Sequence, residues 1–208
     1  ENDDGSSFTI PAGAELSQSP DGTGLITAPG MVMQSGDLQF ISGEATVILG
    51  EDTDNLYFET LNIGQNDNEL FAMEEVNAEI NTETQSSIFQ AESATVNLSN
   101  GNVVFENSTM SFAPGSTQIS ASTMLMENGN DQFSMEGFNF SQNLDGDTAT
   151  TNLVGDNATM NFGENIFNAD HLEINLFQSE DPNNPGNMEM LVQGLDLQSG
   201  DSSLQADE

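Results

Sequence analysis

The sequence predicts an all-β protein made of repeated, bent strands. Three observations carry that expectation. Apolar residues alternate with polar ones over most of the chain. The alternation is interrupted at regular intervals by a single three-residue step. Short turn-forming runs separate the copies, and little argues for helix.

The recurring template is apolar, x, apolar or small, x, x, apolar or small, x, apolar. Taken in order, Ile26-x-Ala28-x-x-Met31-x-Met33 opens the clear series, after a weaker Phe8-x-Ile10. Leu38, Phe40, Gly43, Ala45 and Val47 follow, then Leu56, Phe58, Leu61 and Ile63. The next copies start at Phe71, Phe89, Val103, Ile119, Phe133, Leu153, Phe167 and Met190. Starts are mostly 12 to 20 residues apart, and every second start from Ile26 to Phe167 is separated by 30 to 34 residues, so the repeating unit reads as a pair of strands.

The step carries geometry. Alternate residues of a strand share a face. Three residues in a straight strand would throw the second half to the opposite face. A β-bulge or corner restores the facing and bends the strand. Pro29-Gly30, Ser42-Gly43, Glu136-Gly137 and Gln193-Gly194 sit at that step, where a permissive backbone is useful. Turn chemistry fills the gaps: Asp21-Gly22, Glu51 to Asp54, Ser99 to Asn102, Glu127 to Asp131 and Asp145-Gly146-Asp147. The longest gap, Gln178 to Asn187, contains residues 181–186 and reads as a loop. The expected organisation is a polar tail over 1–7, one β-repeat domain over 8–198 and an acidic tail over 199–208.

The apolar face predicts the interior. It comprises Met31, Met33, Phe40, Phe58, Phe71, Met73, Phe89, Val96, Phe105 and Met110, and then Met124, Met126, Met135, Phe138, Met160, Phe162, Phe167, Leu172 and Ile174. Met190 falls on the same parity. Methionine suits ordinary core filling and also irregular, lipid-like contents.

Composition then narrows function. The 208 residues contain no Lys or Arg and 35 Asp plus Glu, a formal charge of −35. No carboxylate can pair with a Lys or Arg of its own chain. Nucleic-acid binding and anionic membrane surfaces need basic residues, so both are excluded as partners. A phosphate clamp cannot be built. There is no Cys, hence no disulfide or thiolate site. No apolar run is long enough for a membrane-spanning helix. The opening Glu1-Asn2-Asp3-Asp4-Gly5 is what an exported chain with its leader removed would show, and export is the expectation.

Candidate sites are few. Acidic turns offer oxygen ligands for Ca²⁺: Asp52 with Asp54, Asn128 and Asn130 with Asp131, and Asp145 with Asp147. None matches an EF-hand. No cofactor is required on this reading, and Ca²⁺ is the one candidate. His171 sits at an outward position and reads as a surface histidine. No nucleophile–base pair or carboxylate dyad stands out, so the expectation is not an enzyme.

The stretch Ile88-Phe89-Gln90-Ala91-Glu92-Ser93-Ala94-Thr95-Val96-Asn97-Leu98-Ser99-Asn100-Gly101-Asn102-Val103 and the phrase Asn168-Ala169-Asp170-His171-Leu172 resemble the OstA-like family of periplasmic lipopolysaccharide-transport bridge proteins. The resemblance extends over Ile26 to Leu197. It implies an antiparallel β-jellyroll whose apolar interior holds acyl chains and which assembles end to end through terminal strands. This chain departs from the family in having no basic residue with which to grip lipid A phosphates. A parallel β-solenoid with coils of about 32 residues gives the same spacing and is the alternative fold. Soluble β proteins commonly guard edge strands with Lys. Here the guard is negative charge alone, which acid or Ca²⁺ would remove. The expected function is a non-enzymatic subunit of a surface, matrix or filament structure that self-associates end to end. The alternative is a periplasmic lipid-bridging module.

Overall fold

A computed structural model describes residues 7–9, 11–20, 23–35, 37–65, 68–146, 148–179, 186–199 and 202–206. Among them there is no helix. The chain divides into two compact units, Glu1–Leu98 and Ser99–Glu208. The expectation of one repeat domain over 8–198 gives no hint of that division.

The first unit contains β1 (Ser7–Thr9), β2 (Glu15–Gln18), β3 (Gly24–Ala28), β4 (Met31–Ser35), β5 (Leu38–Ser42), β6 (Ala45–Leu49), β7 (Thr53–Gln65), β8 (Asn68–Asn81) and β9 (Ser86–Leu98). The short strands are halves of bent ribbons. β3 and β4 flank Pro29-Gly30, with β3 paired to β6 and β4 to β5. β5 and β6 then both pair with the one continuous strand β7. β7, β8 and β9 follow as hairpins.

The second unit contains β10 (Gly101–Ala113), β11 (Ser116–Asn128), β12 (Asp131–Asp145), β13 (Thr148–Phe162), β14 (Asn165–Ser179), β15 (Gly186–Gln193), β16 (Leu195–Ser199) and β17 (Ser202–Ala206). Successive strands from β10 to β14 pair as a meander. β15 and β16 are two arms of one ribbon on β14, and β17 folds back on β16. Among the described residues, every pairing within the two units is antiparallel. The parallel solenoid is therefore ruled out. The hairpins need no long crossovers, which parallel pairing would demand.

Within each unit, the three-residue step is a corner that neighbouring long strands share. Across β10 and β11, Phe105 faces Met124, Glu106 faces Thr123 and Thr109 faces Ser120. Across β13 and β14, Gly155 faces Leu172 and Ala158 faces Ala169. The register is continuous through each corner, so no residue is inserted against its partner, as a bulge would require. Each strand takes the same step at the same level. There are two exceptions: the pair β12–β13, where the register shifts between Ser134 and Asn139, and the outer ribbon, where Thr9 facing Val32 and Glu15 facing Thr27 leave one extra residue on the β1–β2 side.

Some corners use a left-handed backbone: Glu75 (φ 50°), Asn107 (49°), Asn157 (49°), Gly137 (58°) and Gly194 (62°). That region is costly for side-chain-bearing residues other than Asn and Asp. One corner falls two residues later than the spacing suggests. Gly43 N–H donates to the Thr60 carbonyl and Glu59 N–H to that of Glu44. The bend is at Gly43-Glu44, and Ser42, paired with Leu61, takes the inner place assigned to Gly43. β17 is a further difference, because Ser202–Ala206 was expected to be tail.

The core sits inside the corners. The two residues that bracket each step are buried in strand after strand: Phe58 and Leu61, Met73 and Val76, Ala91 and Ala94, Phe105 and Ser108, Ala121 and Met124, Met135 and Phe138, Ala169 and Leu172. Phe105 and Phe138 rings meet at 5.3 Å with a 46° tilt, a favourable aromatic arrangement. Ser108 is the polar member, and among the described residues its buried hydroxyl has no hydrogen-bond partner.

Candidate functional site

The expected interior is placed as follows. Met31, Phe58, Met73, Phe105, Met110, Met124, Met135, Phe138 and Leu172 are buried. Phe40, Phe71, Phe89, Val96, Met126, Met160, Phe167 and Ile174 are half-buried. Three expectations fail. Met33 is 41% exposed, Phe162 49% and Met190 61%. Phe162 is the last residue of β13, at the far end of an arm. Met190 lies on β15, which among the described residues pairs with β14 alone. Met33 lies on the five-residue β4, covered on one side by the three-residue β1. Parity gives the facing, but side chains at a strand end or on an outer strand are only partly covered by the described residues.

The same rule leaves an apolar lip in the second unit. Phe162, Ile166, Phe167, Leu197 and Leu204 line a cavity of about 360 Å³ where β13, β14, β16 and β17 meet. β15 presents Met188, Met190 and Leu191 to solvent. All five residues of β17 and all four of β2 are exposed, and among the described residues β17 pairs with β16 alone and β2 with β3 alone.

The expected metal residues stay in separate turns. Asp54 accepts the Gly50 N–H at 3.1 Å, while the Asp52 carbonyl accepts the Thr82 N–H at 3.0 Å. Asn128 and Asp131 close the β11–β12 hairpin around Gly129-Asn130. Gly129 takes φ 64°, as the first central residue of a type II′ turn does. The Asp145 carbonyl accepts the Thr148 hydroxyl at 2.8 Å, and Asp147 lies outside the described residues. Among the described residues, no three His, Cys, Asp or Glu side chains group as a metal site.

The carboxylates collect instead on the convex side of the corners. Glu59 follows Phe58 and so faces Glu75, and the same registers carry the row from Glu44 through to Glu92. In the second unit Glu136 faces Asp156, which in turn faces His171. Neighbouring strands are about 4.8 Å apart. Two such charges repel by only about 1 kcal/mol in water, and a convex corner lets side chains splay. Neutral donors take part of the charge. Asn157 Nδ2 donates to Glu136 Oε2 at 2.6 Å. His171 Nδ1 lies 2.7 Å from Asp156 Oδ1, so this histidine has a partner that its sequence position did not disclose.

Tyr57 lies in a neighbouring register row, facing Thr46 and Asn77, and reaches this row of acids with its side chain. Its hydroxyl donates to Glu75 Oε2 at 2.6 Å. That hydrogen bond holds the phenol above its ordinary range, and desolvation and the charges of Glu75, Glu59 and Glu44 act in the same direction.

No family model, curated protein or solved structure matches this chain.

Proposed function

We propose that the protein is an exported, non-enzymatic assembly subunit that adds to further copies of itself through its outer strand edges. The observation that carries this reading is the pair of open edges, β2 in the first unit and β15 with β17 in the second. Unpaired N–H and C=O groups on an edge are a template for another strand. An edge of one kind meeting an edge of the other is a heterologous contact, which propagates. The guard is charge: 35 acids and no base. Carboxylates protonate in acid, and a divalent cation screens them. Acid or millimolar Ca²⁺ then promotes end-to-end polymers. The test is light scattering from pH 7 to pH 4, with and without Ca²⁺, followed by electron microscopy. Growth of linear polymers supports the reading. A monomer throughout sinks it.

One observation favours a second reading, the lipid-bridging module implied by the OstA-like resemblance. It is the apolar cavity at Phe162, Phe167 and Leu204 together with the exposed Met188 and Met190. This reading expects lipid to co-purify and to appear by mass spectrometry after extraction. A lipid-free protein that takes up no fatty acid counts against it.

A further inference from the structure

The outer face of the first unit carries a groove that neither reading uses. Two registered rows cross β6, β7, β8 and β9 side by side. One is Thr46, Tyr57, Asn77 and Gln90; the other is Ile48, Asn55, Glu79 and Ile88. All lie off the core-facing parity. Together they line a concavity of about 330 Å³. Ile48 is 49% exposed, Ile88 40% and Tyr57 38%. A solvent face of an antiparallel sheet is ordinarily polar, so two isoleucines and the chain's one tyrosine on a single outer groove form an apolar patch with a built polar floor.

We infer that this groove binds Arg or Lys side chains of a basic polypeptide partner. Three features fit that chemistry together. The Ile48 and Ile88 flanks suit the aliphatic stems that basic residues lay along apolar surface. The Tyr57 ring offers a π face to the cation, and its hydroxyl is already tied to Glu75, which fixes the ring. Glu79 and the amide oxygens of Asn55 and Asn77 supply acceptors, and a guanidinium or ammonium is a donor only. Charge selects the source. The chain has no Lys or Arg, so no copy of itself can fill the groove. The corner carboxylates Glu44, Glu59 and Glu75 stand beside Tyr57 and repel an anionic ligand. A neutral ligand gains nothing from that field. The site is independent of strand-edge assembly, since it uses side chains of a sheet face.

The experiment titrates the whole protein with an Arg-rich octapeptide, a Lys-rich octapeptide and a neutral Ser/Gly octapeptide at physiological salt. Tyrosine fluorescence and calorimetry are read together. Tyr57 is the one Tyr and there is no Trp, so the emission reports on the groove directly. The basic peptides are expected to change Tyr57 emission with saturation and the neutral peptide to leave it unchanged. The double change Ile48→Ser, Ile88→Ser keeps the charge and is expected to weaken binding roughly tenfold, as is Glu79→Gln. Glu164→Gln, in the β13–β14 turn of the other unit, removes the same charge and changes affinity less than about twofold. Circular dichroism verifies that each variant is folded. Equal affinity of the Ile and Glu164 variants would mean diffuse attraction to an acidic surface and would overturn the inference. Binding of the neutral peptide, or Tyr57 emission indifferent to bound basic peptide, would overturn it too.

Discussion

The corners and the strand ends obey the same alternation and differ in burial. Val76 is 0% exposed and Met135 1%, both beside a corner. Leu144 is 56% exposed and Phe162 49%, on the same inward parity but at the ends of their strands. The sequence pattern is the same in both places. What differs is the company. At a corner, the bend brings the inner faces of the two arms close, and neighbouring strands add the same pair of residues above and below. Toward the ends the arms separate and each side chain keeps its cross-strand neighbours only. Hydrophobic burial here is a gradient that falls away from the bend, and alternation alone does not encode it.

Truncating a side chain should cost most beside a corner. Leu172→Ala or Met135→Ala, beside corners, is expected to cost about 3 kcal/mol, the usual scale for a core cavity. Leu144→Ala should cost no more than about 0.5 kcal/mol. Urea unfolding of the three variants measures the contrast directly, and similar losses at the two kinds of site would contradict the gradient.

Backbone strain comes next. Asn107 has a left-handed backbone, whereas Ser122, opposite it in the next strand, does not. Asn107→Val is expected to lose about 1–2 kcal/mol, because a β-branched residue is poorly tolerated there. Ser122→Val should lose less, since strand backbone favours β-branched residues. Thermal melts distinguish the two.

At Ser108 the expected effect has the opposite sign. It occupies a corner position that apolar residues take in other strands, and its hydroxyl is buried without a partner among the described residues. Ser108→Ala is expected to stabilise the fold by about 1 kcal/mol, because an unsatisfied polar group is removed. A loss of stability would mean that the hydroxyl has a role the geometry does not reveal.

The smallest effect concerns Tyr57 on the convex side. Its folded-state pKa lies above the ordinary value of 10.0. A raised value favours the neutral phenol in the fold. The contribution is therefore present at neutral pH and lost as pH rises through the folded value. Absorbance of the single tyrosinate should show titration above that of a model phenol, and Glu75→Gln should lower the midpoint.

Much of this architecture was legible in residues. Phe105-x-x-Ser108 and Phe167-x-Ala169-x-x-Leu172 announce the step, and the corners fall there. The corner at Gly43-Glu44 was misplaced because Phe40, Ser42, Gly43 and Ala45 fit the template in either phase, and the inner residue is a serine. β17 was missed because Ser-Ser-Leu-Gln-Ala offers one large apolar residue, too little to establish a period. Asn107 and Asn157 are residue types that hint at left-handed backbone; Glu75 gives no such hint. The acid turns were visible as composition, but whether three carboxylates converge depends on hairpin geometry. The outer groove has a signal in the sequence, since Ile48, Tyr57 and Ile88 are large residues off the core-facing parity.

Amide hydrogen exchange read residue by residue tests the shared corner most directly. The slowest exchange is expected at residues flanking the steps, Met73 to Val76, Met135 to Phe138 and Ala169 to Leu172, with protection decaying toward both ends of each strand. Uniform protection along the strands, or ends slower than corners, would contradict that expectation.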